Sequence, residues 1–306
     1  MALKDQIELG MSLPHRAPEP VDMAAVDQVA RRADALGFRD LWVTENTIDH
    51  VFSFDPFVAL TWAAAVTKKI RVGVSVSILP VHDPIMMAHR VATLDYMSGG
   101  RALLGVGLGR DFHYATFGVA KETRVRRFRE QLQLIKALWT GKPVDHRGEF
   151  YALEGAVMSP MPVQRPHVPI WFGGGHPNAI ARAAELADAW MGAGGSSIEE
   201  FGKTVPILKA ALAKAGRKVA GYPISKRVFL SVHDKPEVAR AEVDRWYREV
   251  YHNPKGVDTS GVHGTPEQVR AQLETLVAMG ATHLLLNPVA RYAEQVEALA
   301  KLTGLA

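Results

Sequence analysis

The chain has 306 residues, 47% of them hydrophobic, 22% charged and none cysteine, with a formal net charge of +4. The apolar fraction suits a large globular core, and the missing cysteine excludes disulfides, thiolate metal sites and cysteine nucleophiles. No Lys/Arg run is interleaved with aromatics, no apolar stretch nears the roughly 20 residues of a membrane span, and Met1–Gln6 is no apolar leader, so the expectation is a cytoplasmic protein with no nucleic-acid or membrane partner.

From the N-terminus, β-branched runs alternate with amphipathic segments. A strand near 7–12 leads to a helix near 22–36, a strand near 39–44 to a helix near 56–66, and a strand near 70–79 to a helix near 84–97. The helix from Pro56 to Val66 is apolar nearly all round, whereas an outer helix of a globular domain keeps one polar face. A subunit interface accounts for this better than extra packing, which makes a homodimer the expected assembly.

The fourth strand, near 101–107, runs into Leu104-Gly105-Val106-Gly107-Leu108-Gly109-Arg110, with its helix near 121–139. The glycines faintly resemble a dinucleotide fingerprint, but no helix is predicted directly after them, so a Rossmann reading is rejected. They either let a flat ring lie against the backbone or serve close packing. The segment 140–167 exceeds an ordinary connection, is rich in Pro and Gly, and is expected to hold a short hairpin around Gly148-Glu149-Phe150-Tyr151. Loops of that length in compact domains are commonly lids or binding loops, so it is expected to cover the mouth of a site.

The fifth strand, near 168–172, runs into Gly173-Gly174-Gly175 and then a helix near 177–187 opened by Pro177. Proline suits the first helical position because its φ is already helical and its missing N–H would have had no partner. Bare glycine N–H groups beside a helix N-terminus make a phosphate cradle; a tight turn with no ligand reads equally well from these residues alone. The sixth strand, near 189–193, ends in Ala193-Gly194-Gly195-Ser196 before a helix near 198–214. A strand near 224–232, helices near 236–251 and 266–279, a strand near 282–288 and a helix near 291–302 complete the chain, with a second long connection at 252–264.

Eight strand–helix pairs mean a closed parallel barrel or a long doubly wound sheet. The strand at one terminus and the helix at the other favour closure. The expected class is α/β: one (β/α)8 TIM barrel over 1–306, with insertion segments at the C-terminal face that include 140–167; about 250 residues is typical of that fold. Its chemistry then lies where the strands end. Those ends lack His-x-His, His-Glu-x-x-His, a lysine just after the sixth strand and a carboxylate ring, which argues against metal hydrolysis, Schiff-base chemistry and a magnesium site. Glycine turns, some histidines and a few polar groups suit an organic cofactor.

Several segments together carry a resemblance: Phe38-Arg39-Asp40-Leu41-Trp42-Val43-Thr44-Glu45, Ala92-Thr93-Leu94-Asp95-Tyr96-Met97-Ser98-Gly99-Gly100-Arg101, Pro162 through Trp171 with its glycines, Ala187-Asp188-Ala189-Trp190, and Gly264-Thr265-Pro266-Glu267 onward to Asn287-Pro288. In this order and spacing the chain resembles the luciferase-like flavin- and deazaflavin-dependent oxidoreductases, nearest the actinobacterial members that use coenzyme F420, an 8-hydroxy-5-deazaflavin. The resemblance implies a cofactor phosphate on the N–H groups of Gly174 and Gly175, with Ala193 and Gly194 across from them. It implies a ring near Glu45, Asn46, Val76, Ser77, Gly107 and His113, and a non-prolyl cis peptide within Ser75-Val76-Ser77-Ile78.

Sugar-phosphate dehydrogenases of that family carry a histidine where Asn46 stands and an acid where Arg110 stands. Asn46 is no general base at neutral pH, so the expected activity is hydride transfer to a small organic substrate, as reduction of an activated C=C or C=N bond. His50, Asn46 and His15 form the candidate catalytic set, with Asp111 behind the histidines. His82 and His89 read as structural or packed, and Arg16 and Arg110 as anion-holding or simply exposed. Met86, Met87 and Trp62 read as core or interface. An FMN-dependent monooxygenase is the alternative, and a flavin carrier without catalysis is a third reading.

Overall fold

In the computed structural model, which describes residues 1–306, eight strands form the barrel. They are β1 (Glu8–Ser12), β2 (Asp40–Val43), β3 (Arg71–Ile78), β4 (Ala102–Gly107), β5 (Ile170–Gly173), β6 (Ala189–Gly192), β7 (Ile224–Val232) and β8 (His283–Pro288). The ladder runs β6-β5-β4-β3-β2-β1-β8-β7, and β6 pairs with β7 to close it. Every pair in this ring is parallel. Strands covered on both faces are buried throughout, and β7 is buried along its whole length although Ser225, Lys226, Arg227 and Ser231 interrupt its apolar run.

The surrounding helices are α1 (Met23–Leu36), α2 (Pro56–Val66), α3 (Pro84–Ser98), α4 (Arg124–Leu138), α5 (Pro177–Leu186), α6 (Ile198–Lys214), α7 (Pro236–Glu249), α8 (Pro266–Ala278) and α9 (Tyr292–Thr303). Their starts follow from local chemistry. Asp22, Asp55 and Asp83 each accept a backbone N–H of the first turn, and Ser197 and Thr265 make capping boxes; such caps contribute about 1 kcal/mol each. No helix is long and apolar enough to cross a membrane.

The barrel interior is plugged by Trp42, Leu103, Trp171, Met191 and Leu285. A Cβ on Gly73 would lie 2.5 Å from the Trp42 ring, so that glycine makes room for the plug. Beside it, Asp40 Oδ2 accepts from Arg71 at 2.7 Å, its Oδ1 meets His283 Nε2 at 3.0 Å and the Trp42 indole, and Ser225 Oγ holds the other His283 nitrogen at 2.7 Å. Burial alone would raise the Asp40 pKa, but these partners outweigh it and hold the carboxyl well below the usual range.

Two expectations are corrected. A helix does open directly after the second glycine turn, at Asp111–Thr116; the Rossmann reading still fails, because β4 belongs to a closed ring. The segment 140–167 forms the expected hairpin, Val144–Arg147 with Ala152–Ala156, but it does not cover the mouth. Its ends join a helix to a strand at the N-terminal end of the parallel barrel, and the hairpin runs up the outside of α4, where Arg127 and Gln131 bond the Tyr151 hydroxyl. Asp95 accepts the N–H groups of Val163 and Gln164, and Glu130 of α4 accepts those of Glu149, Phe150 and Tyr151. The insertion over the C-terminal face is instead 233–264. Its strand Val262–Gly264 adds to the end of β7 outside the ring, and α7 builds a small second core from Phe229, Trp246, Tyr247, Val250, Val257 and Val289.

Candidate active site

At the C-terminal ends of the strands lies a cavity of about 520 Å³. Part of its wall is Val76. The Ser75–Val76 peptide is cis, within the four residues expected to hold such a bond, and Val76 lies against two bare backbones. A Cβ on Gly107 would lie 2.7 Å from Val76 Cγ2, and one on Gly173 would lie 3.0 Å from Val76 Cγ1. Phe128 and Phe172 add an apolar wall, edge to face at 5.1 Å.

One side of the cavity is a double turn of bare backbone, Gly173–Gly175 after β5 and Ala193–Gly194 after β6. The N–H groups of Gly174, Gly175, Gly194 and Gly195 meet no acceptor within the chain. Their neighbouring carbonyls are engaged from behind: Trp190 Nε1 donates to Gly174 O at 2.8 Å and the Tyr247 hydroxyl to Gly194 O at 3.0 Å. Gly174 has a φ of +118°, which favours glycine, but Gly175 has neither positive φ nor any heavy atom within 4 Å of an added Cβ. Folding does not require glycine at 175; close approach of a ligand would. The N-terminus of α5 points at the same spot, which favours negative charge. Arg182 of α5 and Arg124 of α4 stand at this rim, and burial together with Arg129 and Arg124 lowers the Arg182 pKa.

The deep end holds Arg227, 5% exposed, and Tyr251. An Arg227 terminal nitrogen donates to the Ser75 carbonyl at 2.9 Å and to the Ser75 hydroxyl, while Nε has no partner. No carboxylate compensates this charge, and burial lowers its pKa to about 10.

Of the residues anticipated for the cofactor, Val76, Gly107, Gly174, Gly175, Ala193 and Gly194 line the cavity, whereas Glu45, Ser77 and His113 stand behind the wall. Glu45 is buried, which by itself raises its pKa, but His82 at 2.7 Å, Ser77 at 2.5 Å and the Ile78 N–H at 3.0 Å lower it overall. His82, read as structural, is thus the first of the partners that lower the Glu45 pKa. His113 takes the Arg110 N–H on Nδ1 at 3.0 Å, and burial lowers its pKa.

The anticipated catalytic set is not assembled at the cavity wall. His15 Nε2 accepts the Thr44 N–H at 2.8 Å, which leaves the proton on Nδ1, donated to Leu13 O at 2.6 Å. Burial lowers the His15 pKa to about 3, so it is a neutral brace between β1 and β2 rather than an acid. Asn46 Nδ2 donates to Thr44 Oγ1 at 2.7 Å and extends that brace. His50 lies outside the cavity lining, its side chain 47% exposed, with Nε2 on Glu249 O at 2.9 Å and Nδ1 3.0 Å from Asp49. Arg16 is buried against Asp49. His89, read as packed, is exposed on α3. Sequence reasoning missed Arg227, Tyr251, Arg124 and Arg182. Only Arg227 left a trace, as a charge in register with Ser225 and Phe229 on the inward face of β7.

Comparison with known proteins matches this architecture. The family model described as luciferase-like monooxygenase matches residues 7–255. The chain is 28% identical to the F420-dependent glucose-6-phosphate dehydrogenase of Kineococcus radiotolerans, over 84% of this chain and 85% of that one. It is 30% identical to the 5,10-methylenetetrahydromethanopterin reductase of Archaeoglobus fulgidus, over 70% of this chain and 62% of that one. The crystal structure of monooxygenase RslO1 from Streptomyces bottropensis superposes with a TM-score of 0.84 at 21% identity, covering 96% of this chain and 98% of that one, a likeness of fold.

Proposed function

This chain belongs to the luciferase-like monooxygenase family, and we propose that within it the chain works as a coenzyme F420-dependent oxidoreductase, passing hydride to a small organic substrate with an activated C=C or C=N bond. Support comes from relatives named as F420-dependent dehydrogenase and as methylenetetrahydromethanopterin reductase. The observation that carries the reading is Gly175, a glycine with room for a side chain and an N–H without an acceptor, at the lip of the cavity. The residues present fit a phosphorylated planar cofactor. Gly174, Gly175 and Gly194 would hold its phosphate, Arg124 and Arg182 its further negative charge, and the Val76 platform between Gly107 and Gly173 its ring.

When bound, the deazaflavin supplies two-electron hydride chemistry. The chain's own part is to orient and to carry charge. Arg227 places a fixed positive charge at the deep end, where it stabilises negative charge that builds on the substrate as hydride arrives. Tyr251, lining the cavity beside it, is the hydroxyl placed to hand over the proton. His50, outside the wall, has no such role.

A second reading, an FMN-dependent monooxygenase, uses the same cradle and platform. Fluorescence titration with coenzyme F420 and with FMN separates them. Tight binding of F420 alone, followed by anaerobic turnover of the reduced cofactor with electron-poor alkenes or imines, is the expected result. Binding of FMN alone with oxygen-dependent turnover would overturn it, and binding without any turnover would favour a carrier.

A homodimer is part of the proposal. Val58 and Trp62 of α2 and Met86 of α3 are 72%, 48% and 59% exposed, and a second copy of this chain would cover them. Light scattering should give twice the chain mass, and Trp62→Glu should shift it toward the monomer.

A further inference from the structure

We propose that Lys226 is a positioning residue for the phosphate end of the cofactor, whose buried ammonium holds the turn after β6 from behind and so aims that turn's N–H groups into the cavity. The inference rests on reading the two glycine turns as a phosphate cradle. Lys226 faces outward from β7 and is 1% exposed. Its Nζ donates to Ala193 O, to Ser196 O at 2.7 Å and to Ser196 Oγ at 2.8 Å. An ammonium has three donors, and here all three end on neutral oxygens of one turn.

The consequence follows from peptide geometry. In a planar trans peptide the C=O of one residue and the N–H of the next point in opposite directions. Drawing Ala193 O back toward Lys226 therefore turns the Gly194 N–H the other way, toward the cavity that Ala193 and Gly194 line. Trp190 does the same for the Gly175 N–H by holding Gly174 O, and Tyr247 fixes the next peptide plane of the β6 turn by holding Gly194 O. Each of these peptide planes thus has a donor behind it, and at Ala193 O the ammonium works together with the Ser196 N–H at 3.2 Å and the Ser196 hydroxyl at 2.7 Å. Lys226 is the only charged one, and it adds positive charge where an anion would sit.

No carboxylate pairs with Lys226 directly. Glu200, the acid that most favours its charge, is committed to the Ser197 N–H at 2.8 Å, and Arg227 on the neighbouring strand position opposes it. Tyr247 holds the same turn and Tyr251 lies against Gly195. Burial lowers the lysine pKa to about 7. As pH rises through that value the turn loses one donor and the charge behind it, so affinity for the phosphate falls; a bound anion moves the transition to higher pH.

The test compares coenzyme F420 with its phosphate-free deazaflavin chromophore, titrated by fluorescence into the wild type and Lys226→Met across neutral pH. The wild type should prefer F420, with a preference that shrinks as pH rises. The chromophore's own titration is common to both ligands and cancels in the ratio. Lys226→Met should lose about tenfold of the preference or more, bind the chromophore as the wild type does, and show no pH dependence in the ratio. An unchanged preference in Lys226→Met overturns the inference and leaves the cradle intact, whereas a wild type with no preference overturns the cradle and the inference with it. Should Lys226→Met fail to fold, Ser196→Ala, which removes one acceptor of the ammonium together with the hydroxyl's own bond to Ala193 O, and the wild-type pH profile decide: a smaller loss and a falling ratio support the role, and a flat ratio in both overturns it.

Discussion

The two ends of the barrel treat buried charge in opposite ways. At the N-terminal end Asp40 is fully buried, and Arg71, His283 and Trp42 satisfy it. At the C-terminal end Arg227 and Lys226 are as deeply buried, yet they rest on carbonyl and hydroxyl oxygens with no carboxylate against them. A buried charge left without a counter-ion is costly. Compensation at one end and surplus at the other is therefore a division of labour: the paired end contributes stability, and the unpaired end awaits an anion.

Substitutions can break this contrast. The largest effect is expected from Asp40→Asn, which removes the buried carboxylate that Arg71, His283 and Trp42 all bond and leaves Arg71 only the half-exposed Glu8 at 3.2 Å. It should cost about 3–5 kcal/mol in denaturant unfolding, with cofactor affinity unchanged in the folded fraction. Because the folded-state pKa of Asp40 is depressed, its contribution is present above the unfolded value of about 3.9 and is lost as pH falls toward the folded one. Acid unfolding of the wild type should show that loss, and Asp40→Asn should not.

Arg227→Met inverts the pattern. Removing an uncompensated cation should leave the melting temperature nearly unchanged, while hydride transfer slows on the order of 10²-fold. A large loss of stability with activity retained would make Arg227 structural and erase the contrast. Tyr251→Phe should lower the reduction rate by about 10²-fold with little effect on cofactor affinity. His50→Ala, in parallel, should stay within about threefold of wild type, the range of an ordinary surface change. The reverse ranking would return the proton to His50. The smallest effect is expected from Gly175→Ala: stability within about 0.5 kcal/mol, and affinity for the phosphorylated cofactor down about tenfold.

Much of the fold was legible because its determinants are local. The strand from Ile224 to Val232 and the helix from Ile198 to Lys214 have the bounds that periodicity predicts, and capping residues and prolines mark the helix starts. The glycine turns were legible as bare backbone, though not as a cradle rather than a plain turn. The anchoring of 140–167 was legible too, from the rule that helix-to-strand connections start and end opposite the catalytic face, whereas the path of its hairpin up the outside of α4 to Arg127 was not. The site's polar groups were not legible. His15 looked like an acid until Thr44 and Leu13 took both of its nitrogens, and nothing near Lys226 in sequence marks Ala193 or Ser196 as its partners.

By itself the sequence determined the alternation of strands and helices, the glycine-bare strand ends and the family likeness, since these depend on side-chain periodicity, turn chemistry and short motifs within a few residues. Only the tertiary structure decided which polar groups share the cavity and which are spent holding one another. Arg227 reaches Ser75 across 152 residues and Lys226 reaches Ser196 across 30, contacts that exist only because barrel closure and strand register bring those positions together.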